Sequence, residues 1–100
     1  MTVQVAEITD LPRGVRKKIK VAGQNVLLLN HNGQIYAIEE KCPHLGCSLL
    51  KGKFLGNDFQ CPCHGAVFSI PLGTLVSGPS TRSLRVYKVY MEHGMIALDI

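Results

Sequence analysis

The chain lacks any apolar run long enough to cross a membrane. About 18 consecutive apolar residues would be needed, and the longest run here, Val26–Leu29, is strand-sized. The first residues, Met1-Thr2-Val3-Gln4-Val5, supply neither the basic n-region nor the apolar h-region of an export signal. A soluble protein that stays in the cytoplasm is therefore expected. No ten-residue stretch combines helical periodicity with capping residues, which argues against a helical fold. No Ser-His-Asp set, paired-carboxylate site or phosphate loop is present, nor any repeat or low-complexity tract. Negative charge is scarce as well: seven Asp/Glu face eleven Lys/Arg, for a net charge of +4. Five basic residues fall within Arg13–Lys20, but no aromatics interleave with them and no groove-reading element accompanies them, so nucleic acid is a poor partner. The run reads first as the solvated face of a strand or turn, and second as a docking surface for an acidic partner.

What is present is a succession of short runs rich in Val, Ile, Leu and Tyr, punctuated by turn residues. Val3–Ile8 alternates as a strand with Val3, Val5 and Ile8 inward, and Asp10–Gly14 forms a turn. Val15–Val21 and Gln24–Leu29 read as strands joined at Ala22-Gly23. Asn32-Gly33 suits the positive φ of a tight hairpin, with Gln34–Glu39 as the return strand. Leu84–Met91 and Met95–Ile100 form a last hairpin about Glu92-His93-Gly94. The middle of the chain, Lys41 to about Gly78, is dense in Gly, Pro and Cys, with short strands expected at Asp58–Cys61, Ala66–Ser69 and Thr74–Val76. One hundred residues make one domain. The expectation is an all-β fold over 1–100, in which an antiparallel base (1–40 and 79–100) carries a loop-rich lobe (about 41–78). His31 and His93 fall in turns as exposed polar residues, and most of Tyr36, Tyr87, Tyr90, Phe54 and Phe59 are expected to be packing aromatics.

All four cysteines and two of the four histidines lie in two segments, Cys42-Pro43-His44-Leu45-Gly46-Cys47 and Cys61-Pro62-Cys63-His64-Gly65. Cys-x-His followed by Cys-x-x-His offers two thiolates and two imidazoles. These donors also suit structural zinc, but zinc motifs usually leave two to four residues between paired ligands, whereas one separates Cys42 from His44. Two thiolates and two imidazoles match a [2Fe-2S] centre in which two His replace two Cys on one iron.

With these loops, the Leu49–Gly52 stretch, Phe68, Gly73 and Gly78-Pro79, the chain resembles Rieske iron–sulfur proteins. The resemblance implies one [2Fe-2S] cluster per chain, with Cys42 and Cys61 on the buried iron and His44 and His64 on the outer one. It also implies a disulfide between the leftover cysteines, Cys47 and Cys63. That extra pair is typical of Rieske subunits of quinol-oxidising complexes, whereas the short length is typical of soluble Rieske ferredoxins. A disulfide is unusual in the cytoplasm unless it is well shielded or the organism is thermophilic. Gly46 and Gly65 allow tight turns beside the cluster, Pro43 and Pro62 fix φ, and Gly78-Pro79-Ser80 resembles the proline loop that covers a third side.

High-potential members place a Ser two residues and a Tyr four residues after the second His. Here those positions are Ala66 and Phe68, which implies a low-to-middling potential within the Rieske range of roughly −150 to +300 mV. The implied function is a one-electron carrier, passing electrons from a reductase to an oxygenase or other terminal acceptor, and not a free-standing enzyme. The alternative is a small electron-transfer subunit of a quinol-, nitrite- or arsenite-linked oxidoreductase.

Overall fold

The computed structural model describes residues 2–43, 46–63, 65–70, 72–78 and 82–100. Within them the chain forms eleven strands and one 3-10 turn at Ile8–Asp10. The run Val26–Leu29 explains the architecture. All four residues are completely buried, and successive side chains on a strand point to opposite faces. Val26 and Leu28 enter one apolar core, Leu27 and Leu29 the other. A strand sealed on both faces belongs in the middle layer of a fold.

That strand is β3 (Gln24–His31), in a sheet ordered β2-β3-β4-β9 with β2 (Arg16–Val21), β4 (Gln34–Glu39) and β9 (Val86–Tyr87). The β2–β3 and β3–β4 turns, Ala22-Gly23 and Asn32-Gly33, place all four residues at positive φ, as two-residue hairpins require. On one side lies a sheet ordered β1-β11-β10, from β1 (Thr2–Glu7), β10 (Val89–Glu92) and β11 (Met95–Asp99). Its Ala6, Ile96 and Leu98 pack on Val26, Leu28, Ile35 and Ala37. On the other side a small sheet, β5-β6-β7-β8, comprises β5 (Lys53–Leu55), β6 (Asp58–Gln60), β7 (Val67–Ser69) and β8 (Leu75–Ser77). Phe59, Phe68, Ile70 and Leu49 bring its core onto Leu27, Leu29 and Ile38. Each fully buried Leu or Ile is worth about 1.5–3 kcal/mol relative to exposure. All strand pairings are antiparallel. Among the described residues no helix is long and apolar enough to cross a membrane.

Three details depart from the pattern reading. The alternation in β1 is broken by a bulge between Gln4 and Ala6, so Ala6 is buried while Val3, Val5 and Ile8 are only half-buried. The expected strand Leu84–Met91 is two strands in different sheets: β9 pairs with β4 and β10 with β11, the break falling at Lys88. Changing sheets there lets one segment serve both layers. β5 is an additional short strand, formed where Phe54 faces Phe59 across the ladder.

Candidate metal centre

The two cysteine loops are built alike. In the first, the Cys42 N–H donates to the Cys47 carbonyl (2.7 Å) and the Gly46 N–H to the Cys42 carbonyl (3.0 Å). In the second, the Cys61 N–H donates to the Ala66 carbonyl (2.8 Å) and the Gly65 N–H to the Cys61 carbonyl (3.3 Å). Each loop thus closes from a cysteine to the residue five later, and its glycine bonds back to that cysteine. Gly46 and Gly65 sit at φ 71° and 78°, the left-handed region where a side chain is disfavoured. The first loop is held at its base by the Lys41–Ser48 bridge, and the second caps the β6–β7 hairpin.

This twin construction presents Cys42 and Cys61 to one place. Both are 2 % exposed and neither is in a disulfide. They lie in the core cluster that contains Leu49, Phe59, Ala66 and Phe68. Cys47 and Cys63 form the disulfide, with Cα atoms 6.4 Å apart, within the range such a bridge spans. It ties the two loops together at the surface, where Cys63 is exposed and Cys47 half-buried. His44 and His64 lie outside the described residues, as do Pro79 and Ser80. Among the described residues no cluster of three or more His, Cys, Asp or Glu forms a metal site. What the described residues offer is two thiols buried in apolar surroundings on matched loops. Thiolates in that setting suit iron of a [2Fe-2S] cluster, which prefers sulfur and is shielded from water there.

Gly78 and the residues from Arg82 on are each secured. An added Cβ on Gly78 would fall 2.6 Å from the Ala66 Cα, so only glycine lets the backbone at 78 lie against the second loop. Arg82 forks onto Glu39, with Nη1 and Nη2 donating to the two carboxylate oxygens at 2.9 and 3.0 Å, and the Arg85 N–H donates to the same carboxylate at 2.8 Å. The Glu39 hydrogen bond chiefly raises the Arg82 pKa, with the negative charge of Cys42 a lesser contribution.

Sequence reasoning missed the contacts that join lobe to base. Arg16, counted in a solvated basic run, is half-buried. Its Nη1 donates to the carbonyls of Leu50 (2.8 Å) and Gly52, and its guanidinium lies 5.2 Å from the Phe59 ring centre. Burial lowers its pKa, yet a guanidinium remains a cation in any protein setting. His31, expected in an exposed turn, ends β3 and is half-buried. It stacks on Phe54 at 3.7 Å between ring centres and 8° between planes, with Nε2 3.0 Å from the Gly56 carbonyl oxygen. Glu40, two residues before Cys42, is 1 % exposed with Lys18 Nζ 3.8 Å from Oε1. The alternating basic pattern of β2 contains no sign that Arg16 alone turns inward: position 16 shares a strand face with Lys18 and Lys20, and Arg16 and Lys18 both lie opposite buried leucines, Leu29 and Leu27.

A family model for the Rieske [2Fe-2S] domain matches residues 1–88. The chain belongs to the Rieske [2Fe-2S] family. It is 35% identical over 96 residues to the cytochrome b6-f complex iron-sulfur subunit of Chlorobaculum tepidum, covering 96% of this chain and 52% of that protein. It is 31% identical over 100 residues to the 3-phenylpropionate/cinnamic acid dioxygenase ferredoxin subunit of Escherichia coli, covering 98% of this chain and 92% of the relative. Among solved structures, the ferredoxin of carbazole 1,9a-dioxygenase from Nocardioides aromaticivorans superposes with a TM-score of 0.87 at 27% identity, covering 98% of this chain and 96% of that one. The chain spans only 14% to 52% of the length of the first curated relatives it matches. As a Rieske protein it takes a [2Fe-2S] cluster, and its all-β fold and loop disulfide are those expected from the two cysteine segments.

Proposed function

We propose that this Rieske protein is a one-electron carrier that takes electrons from a reductase and delivers them to an oxygenase or other terminal acceptor. Cys42 and Cys61 would bind the buried iron, His44 and His64 the outer one, on a lobe of about 41–78 carried by the rest of a single domain. The observation that carries the reading is the pair of matched loops, each presenting one buried cysteine and tied to the other by Cys47–Cys63. A bound cluster supplies reversible one-electron chemistry. The chain's own part is placement: the loops fix the thiolates, Phe59, Phe68 and Leu49 keep water from the inner side, and the absence of hydroxyls at Ala66 and Phe68 keeps the potential low.

The acceptor class is supported by near full-length likeness to ferredoxin components of dioxygenase systems. It is also supported by likeness to a chain in a structure described as a complex of reduced oxygenase and oxidized ferredoxin in carbazole 1,9a-dioxygenase (TM-score 0.85, 28% identity). Any substrate chemistry is then the partner's, and the protein is an electron-transfer component and not itself an enzyme. With soluble donors and acceptors, its place is the cytoplasm.

A second reading, a subunit of a quinol-oxidising complex, is favoured by the loop disulfide and by the likeness to the b6-f subunit. Redox titration with EPR detection decides between them. The carrier reading expects two inorganic sulfides per chain, a reduced-state signal with average g below two and a midpoint near or below zero. A midpoint near the top of the Rieske range supports the quinol-linked reading, and a sulfide-free protein removes both.

A further inference from the structure

The loop disulfide forms one wall of an open hollow of about 460 Å³, lined by Cys47, Ser48, Leu50, Lys51, Pro62 and Cys63. Apart from the Lys51 and Ser48 side chains these are apolar groups. A second hollow of about 340 Å³ adjoins it across Lys51 and Pro62 and is bordered by Lys53 and Gln60, with Cys61 at its base. Lys51 and Lys53 are both exposed. The ion pairs among described residues involve Lys17, Lys18 and Arg82 instead, so the two lobe lysines present their charge to solvent. In the basic run Arg16 faces inward, Lys17 lies 4.0 Å from Asp10 and Lys18 pairs with Glu40, while Arg13 and Lys20 stay exposed without an ion pair among the described residues.

We infer that the apolar hollow and its two lysines are the docking site for a partner protein that inserts an apolar side chain at the bridge and sets carboxylates against Lys51 and Lys53. The inference rests on the electron-carrier reading and specifies the partner's surface. Charge complementarity argues for an acidic partner: unpaired lysines beside an apolar seat favour carboxylates, and repel a partner ringed with lysines. The location fits the role. The same loops hold Cys42 and Cys61, and Cys61 itself lines the adjoining hollow. The seat is also rigid, because the bridge fixes one wall against the other, which reduces the ordering cost of docking. A bound cluster, held by Cys42 and Cys61, would supply the single electron that the acceptor gains, with no bond made or broken.

Two probe proteins of opposite surface chemistry test this. Plastocyanin presents an apolar patch beside carboxylates, and cytochrome c presents a ring of lysines. The oxidised holoprotein is passed over each probe immobilised on a sensor surface, at low and high salt, and electron transfer from the reduced holoprotein to each is timed separately. Expected are binding to plastocyanin that is lost at high salt, and no binding to cytochrome c. Lys51→Glu/Lys53→Glu should weaken plastocyanin binding about tenfold and create affinity for cytochrome c. Leu50→Asp should weaken plastocyanin binding too. Lys17→Glu/Lys20→Glu on β2, which removes the same net charge elsewhere, should leave it within about twofold. All variants must retain the visible spectrum of the cluster. Equal losses from the two lysine pairs would reduce the effect to net charge and overturn the site, as would an unchanged Lys51/Lys53 variant. A holoprotein that reduces neither probe would remove the carrier reading itself, whereas one that reduces both while ignoring Lys51 and Lys53 removes only the docking site.

Discussion

Ala66 and Phe68 set the most direct quantitative test of how this chain tunes its centre. Both are completely buried. Ala66 is joined to the second cysteine loop through its carbonyl, which accepts the Cys61 N–H at 2.8 Å, and its backbone is covered by Gly78. Phe68 lies two residues on in β7, opposite Phe59 on one side and Leu75 on the other. Ala66→Ser adds a single hydroxyl in a seat closed by Gly78, and Phe68→Tyr adds one at the rim of an aromatic core. A hydrogen bond to sulfur that strengthens by about 1–2 kcal/mol when the cluster gains an electron raises a one-electron potential by roughly 40–90 mV. Each single variant should therefore rise by that amount, and the double variant by about 80–180 mV on the same scale. Stability supplies an internal check. A tyrosine hydroxyl that finds no partner at position 68 costs about 1–3 kcal/mol, so a higher potential should come with a nearly unchanged thermal midpoint. Protein-film voltammetry gives the potential and thermal unfolding the cost. If neither variant raises the potential, the two missing hydroxyls are not what lowers it.

Three other perturbations follow from the lobe's attachments. Arg16→Met removes the donors to the Leu50 and Gly52 carbonyls; at a half-exposed position the loss should be about 1–2 kcal/mol, read by urea unfolding, with Arg16→Lys recovering less than half because an ammonium lacks the fork. Gly78→Ala places a methyl against the Ala66 backbone at a φ of +101°, and a strain of about 1–3 kcal/mol should shift the second loop enough to change the reduced-state EPR g values; unchanged g values would show that the segment does not press on the loop. Cys47→Ser/Cys63→Ser opens a closure between residues 16 apart, worth about 3 kcal/mol by chain entropy, and since the cluster would tie the same loops, the loss in thermal stability should be larger in the apoprotein than in the holoprotein.

The cysteine loops were legible because their function depends on covalent spacing, which sequence records directly. Strand positions were legible for a similar reason: Asn32-Gly33 suits the positive φ of a tight turn and Ala22-Gly23 separates two apolar runs, and these two turns mark both hairpins of the central sheet. The layer order was not, because a run such as Val26–Leu29 is equally apolar whether one sheet or two pack against it, and only the partition of its side chains between two cores settles the question. The split at Lys88 escaped for the same reason, since β9 and β10 differ in their partners and not in their own residues.

Charge was the least legible property. Five basic residues in a row of eight predict a positive face, yet Arg16 turns inward to hold the first loop's exit while Lys17 and Lys18 meet acids brought from elsewhere in the chain. The lysines left facing solvent beside the cysteine loops, Lys51 and Lys53, belong to no conspicuous run. A cation's availability to a partner depends on what folding places within a few ångströms of it, because an ion pair at 4 Å cancels most of the field that a second protein would feel from farther away. The docking face of a small electron-transfer protein is therefore drawn from the charges that folding leaves unpaired; among the described residues Lys20 keeps one such charge on β2, and Lys51 and Lys53 place two on the lobe that carries the thiols.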